Sequence, residues 1–336
     1  MSWVSLGSLS LPYQMQRNGV SLRTAMAQYS VEMATGKVQA PQRHLRGDLG
    51  ELSVIESRLA RIATYDLIIG QNETMLETAQ TALGRVAALG SVLSNQVLTA
   101  VFADSGDQSY ASVGASARVT LTDMVSVLST SVAGRTLFAG AAVDRGPLLP
   151  AVDILSEVSA AVAGLTSAQD ITDALESFFF DPGGTFESLV FQGSGTSPGG
   201  AIDDSETGPT LPDAAHPALR RHLMAAALGS LLDDPGLALD RTQTRALANT
   251  TMELIESNGV AVTALRAEIG FGQELLEQRA LRLSHEKDSL VIARHRLVGV
   301  DEFESASLLE ETRYRLEALY AVTARVSRLS LLEYLR

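Results

Sequence analysis

Apolar residues recur every seven positions near both ends of the chain. Counting by sevens from Ile55 passes through Ile62, Ile69, Leu76, Leu83, Gly90 and Val97, six apolar residues and one glycine. Counting from Ile255 passes through Val262, Ile269, Leu276, Leu283, Leu290 and Leu297 with no exception. This spacing lays a stripe along one face of a helix that packs on a partner of matching period. No proline falls between Arg241 and Val298, so the second repeat predicts a single helix of roughly 85 Å at about 1.5 Å per residue. The first repeat, from about Asp48 to Ala100, predicts a partner of similar length. Two such helices imply a mainly α fold: an elongated antiparallel coiled-coil bundle formed by N- and C-terminal helices, with a small irregular, β-containing middle.

Shorter stripes flank the long pair. Met15, Leu22, Met26, Tyr29 and Met33 lie at steps of seven, four, three and four before "TGKVQAPQ" interrupts with Gly36 and Pro41. Leu309, Leu316, Leu319, Val322, Val326, Leu329 and Leu332 form a stripe after the break at "VGVDEFES". The two stripes can pair, and nothing else in the sequence covers them, which makes them the candidate assembly interface.

Between the long helices, Ala111–Val132 predicts a third helix, followed by the turn-rich "AGRTLFAGAAVDRGPLLP". Short helices are expected at Asp153–Ala163 and Ala168–Ser177, a strand at Phe186–Gly193, and a helix at Ala218–Leu232. Gly193–Asp213 reads as an acidic, flexible surface loop. The expected organisation is an N-terminal helix and linker in 1–47, the N-terminal part of the coiled-coil core in 48–145 and a variable middle in 146–215. The C-terminal part of the core then occupies 216–300, and a C-terminal helix 301–336.

Composition narrows the chemistry. The absence of cysteine excludes disulfides, thiolate metal sites and thiol nucleophiles. A net charge of −13 opposes attraction to a nucleic-acid backbone. His44, His216, His222, His285 and His295 lack the four-residue spacing that sets two imidazoles on one helical turn. Gly36-Lys37 lacks the rest of a phosphate loop and reads as a helix stop, and "GFGQE" has no strand before it. Arg279, Arg282, Lys287, Arg294 and Arg296 alternate with acids and read as a solvated helix face. The expectation is a protein that is not an enzyme and takes no cofactor and no metal. Val86–Ala103 is too polar for a membrane span, and the first residues do not read as a cleaved signal, so neither membrane insertion nor signal cleavage is expected.

The arrangement resembles the bacterial flagellin family. The resemblance rests on a first helix ending in "MATGKVQAP", a long heptad helix, a variable middle, and a C-terminal block closing in "ALYAVTARVSRLSLLEYL". "GRTLFAG" at Gly134–Gly140 and "LRAEIG" at Leu265–Gly270 are similar to segments of the hook-associated subgroup that joins hook to filament. Where family members often carry an S-x-x-D-D-P-A type stretch, this chain reads "APQRHLRGDLGEL", keeping only Asp48. The resemblance implies an extracellular structural component of the flagellum, exported through the type III apparatus, that assembles into a ring through its first and last helices. It implies other hook-associated proteins, flagellin and an export chaperone as partners. A filament flagellin, and outside the family a cytoplasmic coiled-coil scaffold or signalling protein, stay open as alternatives.

Overall fold

The computed structural model describes residues 7–102, 107–195, 197 and 199–334, without the side chains of 7–12, 107, 327 and 329–334. The chain is mainly α. In order come α1 (Gly7–Thr35), α2 (Pro41–His44), α3 (Gly50–Phe102), α4 (Asp107–Leu128), β1 (Ser131–Val132), β2 (Arg135–Thr136) and α5 (Ala151–Ala161). They are followed by α6 (Ala168–Phe180), α7 (Pro217–Ser230), α8 (Arg241–Val298) and α9 (Glu302–Tyr334). Contacts divide the chain into two compact units, Met1–Ala63 with Leu283–Arg336, and Thr64–Arg282.

Aspartates mark the starts of the three longest helices after α1. Asp48 Oδ1 accepts from the Gly50 N–H (3.2 Å), Asp240 Oδ1 from Gln243 (2.8 Å), and Asp301 Oδ1 from Phe303 (2.8 Å) and Glu304 (3.2 Å). Each satisfies backbone donors that a helix start leaves without an intrahelical partner. At the other end of α1, Gly36 takes φ +65°, the left-handed geometry that ends a helix at little cost in glycine.

The larger unit is organised around α7, which is buried on nearly every side from Leu223 to Ser230. Its run of alanines lets α4 and α6 approach closely. At Gly229 an added Cβ would come within 3.1 Å of Ala117 Cβ and 3.2 Å of Thr251 Cγ2, so neighbouring helices meet there almost backbone to backbone. By length and composition α3 contains a stretch apolar enough to cross a membrane. Leu76, Leu83, Leu93 and Val97 of α3 are buried inside the protein, however, as in the core helix of a folded domain.

Three local expectations are corrected. The third helix stops at Leu128 instead of Val132, and the Ser129 and Thr130 hydroxyls donate to the carbonyls of Val125 (2.8 Å) and Val127 (2.7 Å) in its last turn. The chain then turns through Ala133 and Gly134, both at positive φ, so that β1 pairs antiparallel with β2. The expected strand at Phe186–Gly193 is instead a single π-type helical turn, Phe186–Val190, closed by Phe191 N–H on the Phe186 carbonyl (2.8 Å). Phe186 and Val190, four apart, are both buried, with the Phe186 ring 5.4 Å from that of Phe179. Burial at that step fits one helical turn, whereas a strand would bury alternate residues.

The third correction concerns the acidic loop and the basic helix face. The loop at Gly193–Asp213 is held down: Ala201 bridges Thr207, Ile202 is fully buried, and Tyr65 donates to Asp204 (2.8 Å). Arg279 pairs with Asp203 (3.3 Å) and with Glu206, so this arginine anchors the loop instead of standing in solvent. Gly272 makes room for it, since a Cβ there would meet Pro209 at 2.9 Å.

Candidate assembly interface

In the smaller unit α1 and α9 pack antiparallel. Met15 lies by Thr323, whose hydroxyl is 3.9 Å from the Met15 sulfur, and Gly19 lies under Leu319. Arg23 donates to the Tyr320 hydroxyl (2.9 Å) with its guanidinium 5.7 Å from the ring centroid. Met15, Leu22, Met26 and Tyr29 of α1, and Leu309, Leu316, Leu319 and Val326 of α9, are all half-buried. Two helices alone cover one side of each stripe and leave the other to solvent, which accounts for this intermediate exposure. The side chains of Leu329 and Leu332 lie outside those described.

Met33 departs from the stripe: it is 43% exposed, and the neighbouring Glu32 is buried. Glu32 Oε1 accepts from Gln28 Nε2 (2.9 Å) and from the Gln39 N–H (3.0 Å), tying the end of α1 to the segment beyond the Gly36 turn. That segment forms a short antiparallel bridge with the α8–α9 connection, Val38 N–H donating to Val298 (2.9 Å) and Val300 N–H to Gly36 (3.2 Å). The apolar period alone could not single out Glu32. One partner, Gln28, stands four residues before it on the same helix, but the other is a backbone N–H that no side-chain pattern marks.

The outer surface of the pair keeps large apolar side chains in water. Tyr13, Val20 and Val31 on α1 and Phe303, Tyr314, Tyr320 and Val322 on α9 are exposed, Phe303 to 84%. Single exposed apolar residues are ordinary, but several on the same two helices make a surface suited to partners.

The heptad stripes of the long helices are placed as follows. Ile55, Ile62 and Leu283 in the smaller unit, and Ile69, Leu76, Leu83, Val97, Ile255, Val262, Ile269 and Leu276 in the larger, are buried. Leu290 and Leu297 are half-buried. Each fully buried member contributes about 1.5–3 kcal/mol of apolar transfer. In the smaller unit Arg58 pairs with Glu286 through two bonds (2.5 and 2.9 Å), and Arg294 with Glu56 (3.5 Å). In the larger, Gln80 Nε2 donates to the Arg266 carbonyl (2.5 Å) and Ser94 to Glu256 (3.4 Å). These pairs set α3 and α8 antiparallel within each unit.

Gly90, the exception in the first stripe, faces His222 of α7. A Cβ at Gly90 would stand 2.9 Å from His222 Cδ2 and 3.0 Å from Nε2. The imidazole is buried and its Nδ1 lies against Asn258 Nδ2, which also donates to the Ala218 carbonyl (2.7 Å). Burial pushes the His222 pKa down from its ordinary value. His216 has a different role: its Nδ1 accepts from the Ala218 N–H (3.3 Å) at the start of α7.

No protein-family model and no curated protein matches the sequence. Among solved structures, FlgL from Bacillus cereus aligns over 71% of this chain and 94% of its own, at 15% identity and a TM-score of 0.41. A flagellar hook-associated protein from Vibrio parahaemolyticus aligns over 73% of this chain and 95% of its own, at 16% identity and a TM-score of 0.53. At that identity the likeness is one of architecture, and the chain has the fold of the Vibrio hook-associated protein.

Proposed function

We propose that the protein is a structural component of the bacterial flagellum that joins hook to filament, assembling through α1 and α9. The observation that carries this reading is the half-covered α1–α9 pair, in a chain with the fold of a flagellar hook-associated protein. A pair that leaves one side of each stripe open gains further apolar burial when neighbouring copies cover it, and the gain repeats at every subunit of a ring. On this reading the protein acts by assembly and not by catalysis. It leaves the cell through the flagellar export route and meets a chaperone, other hook-associated proteins and flagellin.

Electron microscopy of cells lacking the gene tests the proposal. Hooks without filaments, with flagellin lost to the medium, are expected. Complementation by the wild-type chain restores filaments, and complementation by Leu316→Ala with Leu319→Ala does not. Normal filaments in the deletion strain overturn the reading. The second reading, a filament flagellin, draws on the same open pair. Labelling separates the two: a few copies at the filament base for the junction, staining along the whole filament for the flagellin.

A further inference from the structure

The apolar stripe on the α1–α9 pair does not say where along its length a neighbour should sit, because leucines and valines repeat at every turn. Charge does. From Gly7 to Val31 and from Ala318 to Leu332 the only charged residues are Arg17, Arg23, Arg325 and Arg328. The antiparallel packing that sets Met15 by Thr323 and Gly19 by Leu319 brings Arg17, Arg325 and Arg328 to one end of the pair, with Arg23 further along and bonded to Tyr320; all four are exposed. This is a basic tip on a protein of net charge −13.

The first half of α9 has the opposite character. Glu302, Glu304, Glu310, Glu311 and Glu317 are exposed there, against only Arg313 and Arg315. Arg313 pairs with Glu310 and Glu317 and Arg315 with Glu311, so five glutamates against two arginines leave this half of α9 a net charge of −3. Phe303 and Tyr314 stand exposed among the glutamates, and Tyr320 and Val322 near the arginines. Each end therefore combines charge with apolar surface. Arg23 over Tyr320 is an example within the chain of the arginine–tyrosine contact that such surfaces can form.

We propose that a second copy of this chain docks with its arginine tip on the glutamate-bearing half of α9, so that charge sets the axial stagger between neighbours. The inference rests on the assembly reading above. The centres of the two regions lie about 17 residues apart on α9, which sets a stagger of roughly 25 Å at about 1.5 Å per residue. Opposite charges brought together along one axis favour that register and penalise unshifted packing, where arginine would face arginine and glutamate face glutamate.

The test uses the full chain and two charge-reversed variants, Arg325→Glu with Arg328→Glu and Glu310→Arg with Glu311→Arg, followed by sedimentation and light scattering. The wild type is expected to self-associate, with the threshold concentration rising about tenfold between 0.1 M and 1 M NaCl as the Debye length falls from ~10 to ~3 Å. Each variant alone is expected to lose association at the wild-type threshold. An equimolar mixture restores it, because the reversed tip of one variant then meets the reversed α9 of the other. Restoration also shows that both variants fold. Variants that associate like the wild type, or a mixture that fails to recover, overturn the charge register while leaving self-assembly intact. A wild type that stays monomeric at every salt concentration, or that binds phosphatidylglycerol vesicles through the arginines instead of associating, overturns both.

Discussion

Gly90 offers a test in which two physical effects oppose each other. Read as a gap in a heptad stripe, it invites filling, since alanine in place of glycine inside a helix gains about 0.5–1 kcal/mol. The packing argues the reverse. The added Cβ would lie 2.9 Å from His222 Cδ2, against a normal carbon–carbon contact of about 3.5–4.0 Å. The imidazole is 2% exposed and held against Asn258, so it has little room to withdraw, and overpacking of this kind costs about 1–3 kcal/mol. Gly70, on the same helix and in the same unit, has nothing within 4 Å of its added Cβ. Gly70→Ala should therefore raise the unfolding midpoint by about 1–4 °C, and Gly90→Ala should leave it unchanged or lower it. Calorimetry of both variants, repeated in a His222→Ala background, checks the mechanism. Removing the imidazole should give Gly90→Ala the gain that Gly70→Ala shows in the native chain. If Gly90→Ala stabilises as much as Gly70→Ala with His222 present, the close approach of α7 to α3 is refuted.

Two further outcomes follow from the same unit. Because the folded pKa of His222 is depressed, the unfolded chain binds the proton first as pH falls. The stability that His222 contributes is complete above its unfolded value of about 6.5 and is lost as pH falls through the folded pKa, with a slope of at most about 1.4 kcal/mol per pH unit; urea midpoints at pH 7.5 and 5.5 should differ more for the native chain than for His222→Gln. Arg279→Gln should cost about 1 kcal/mol and speed amide exchange in residues 199–211, which mass spectrometry can localise; unchanged exchange there would mean that Asp203 and Glu206 do not depend on this arginine.

The long helices were legible because their cause is periodic. Ile255 to Leu297 repeats without a break, and α8 begins at Arg241 and ends at Val298 as the proline-free run suggested. Features caused by a single distant partner were not legible. Gly90 looked like a defect until His222 was placed beside it. Arg279 looked solvated because the Asp203–Glu206 segment, compositionally a flexible loop, gave no sign of folding back on α8. Phe186–Val190 looked like a strand because a short apolar run does not distinguish strand from helical turn. At the interface, period selected Met33, whereas the buried position went to Glu32 through two hydrogen bonds that no hydrophobic pattern encodes.

The pairing of α3 with α8 has a kinetic consequence. Its polar contacts join residues 162 to 238 apart in sequence: Ser94 to Glu256, Gln80 to Arg266, Arg58 to Glu286, Glu56 to Arg294. Helical proteins usually fold fast because their contacts are local, but here closing the core requires loops of domain length. A chain delivered N-terminus first, from a ribosome or through a narrow channel, waits 162 further residues for the α8 partner of Ser94 and 228 for that of Arg58. Until α8 follows, the packing available to it is that of α4 and α6 on α7.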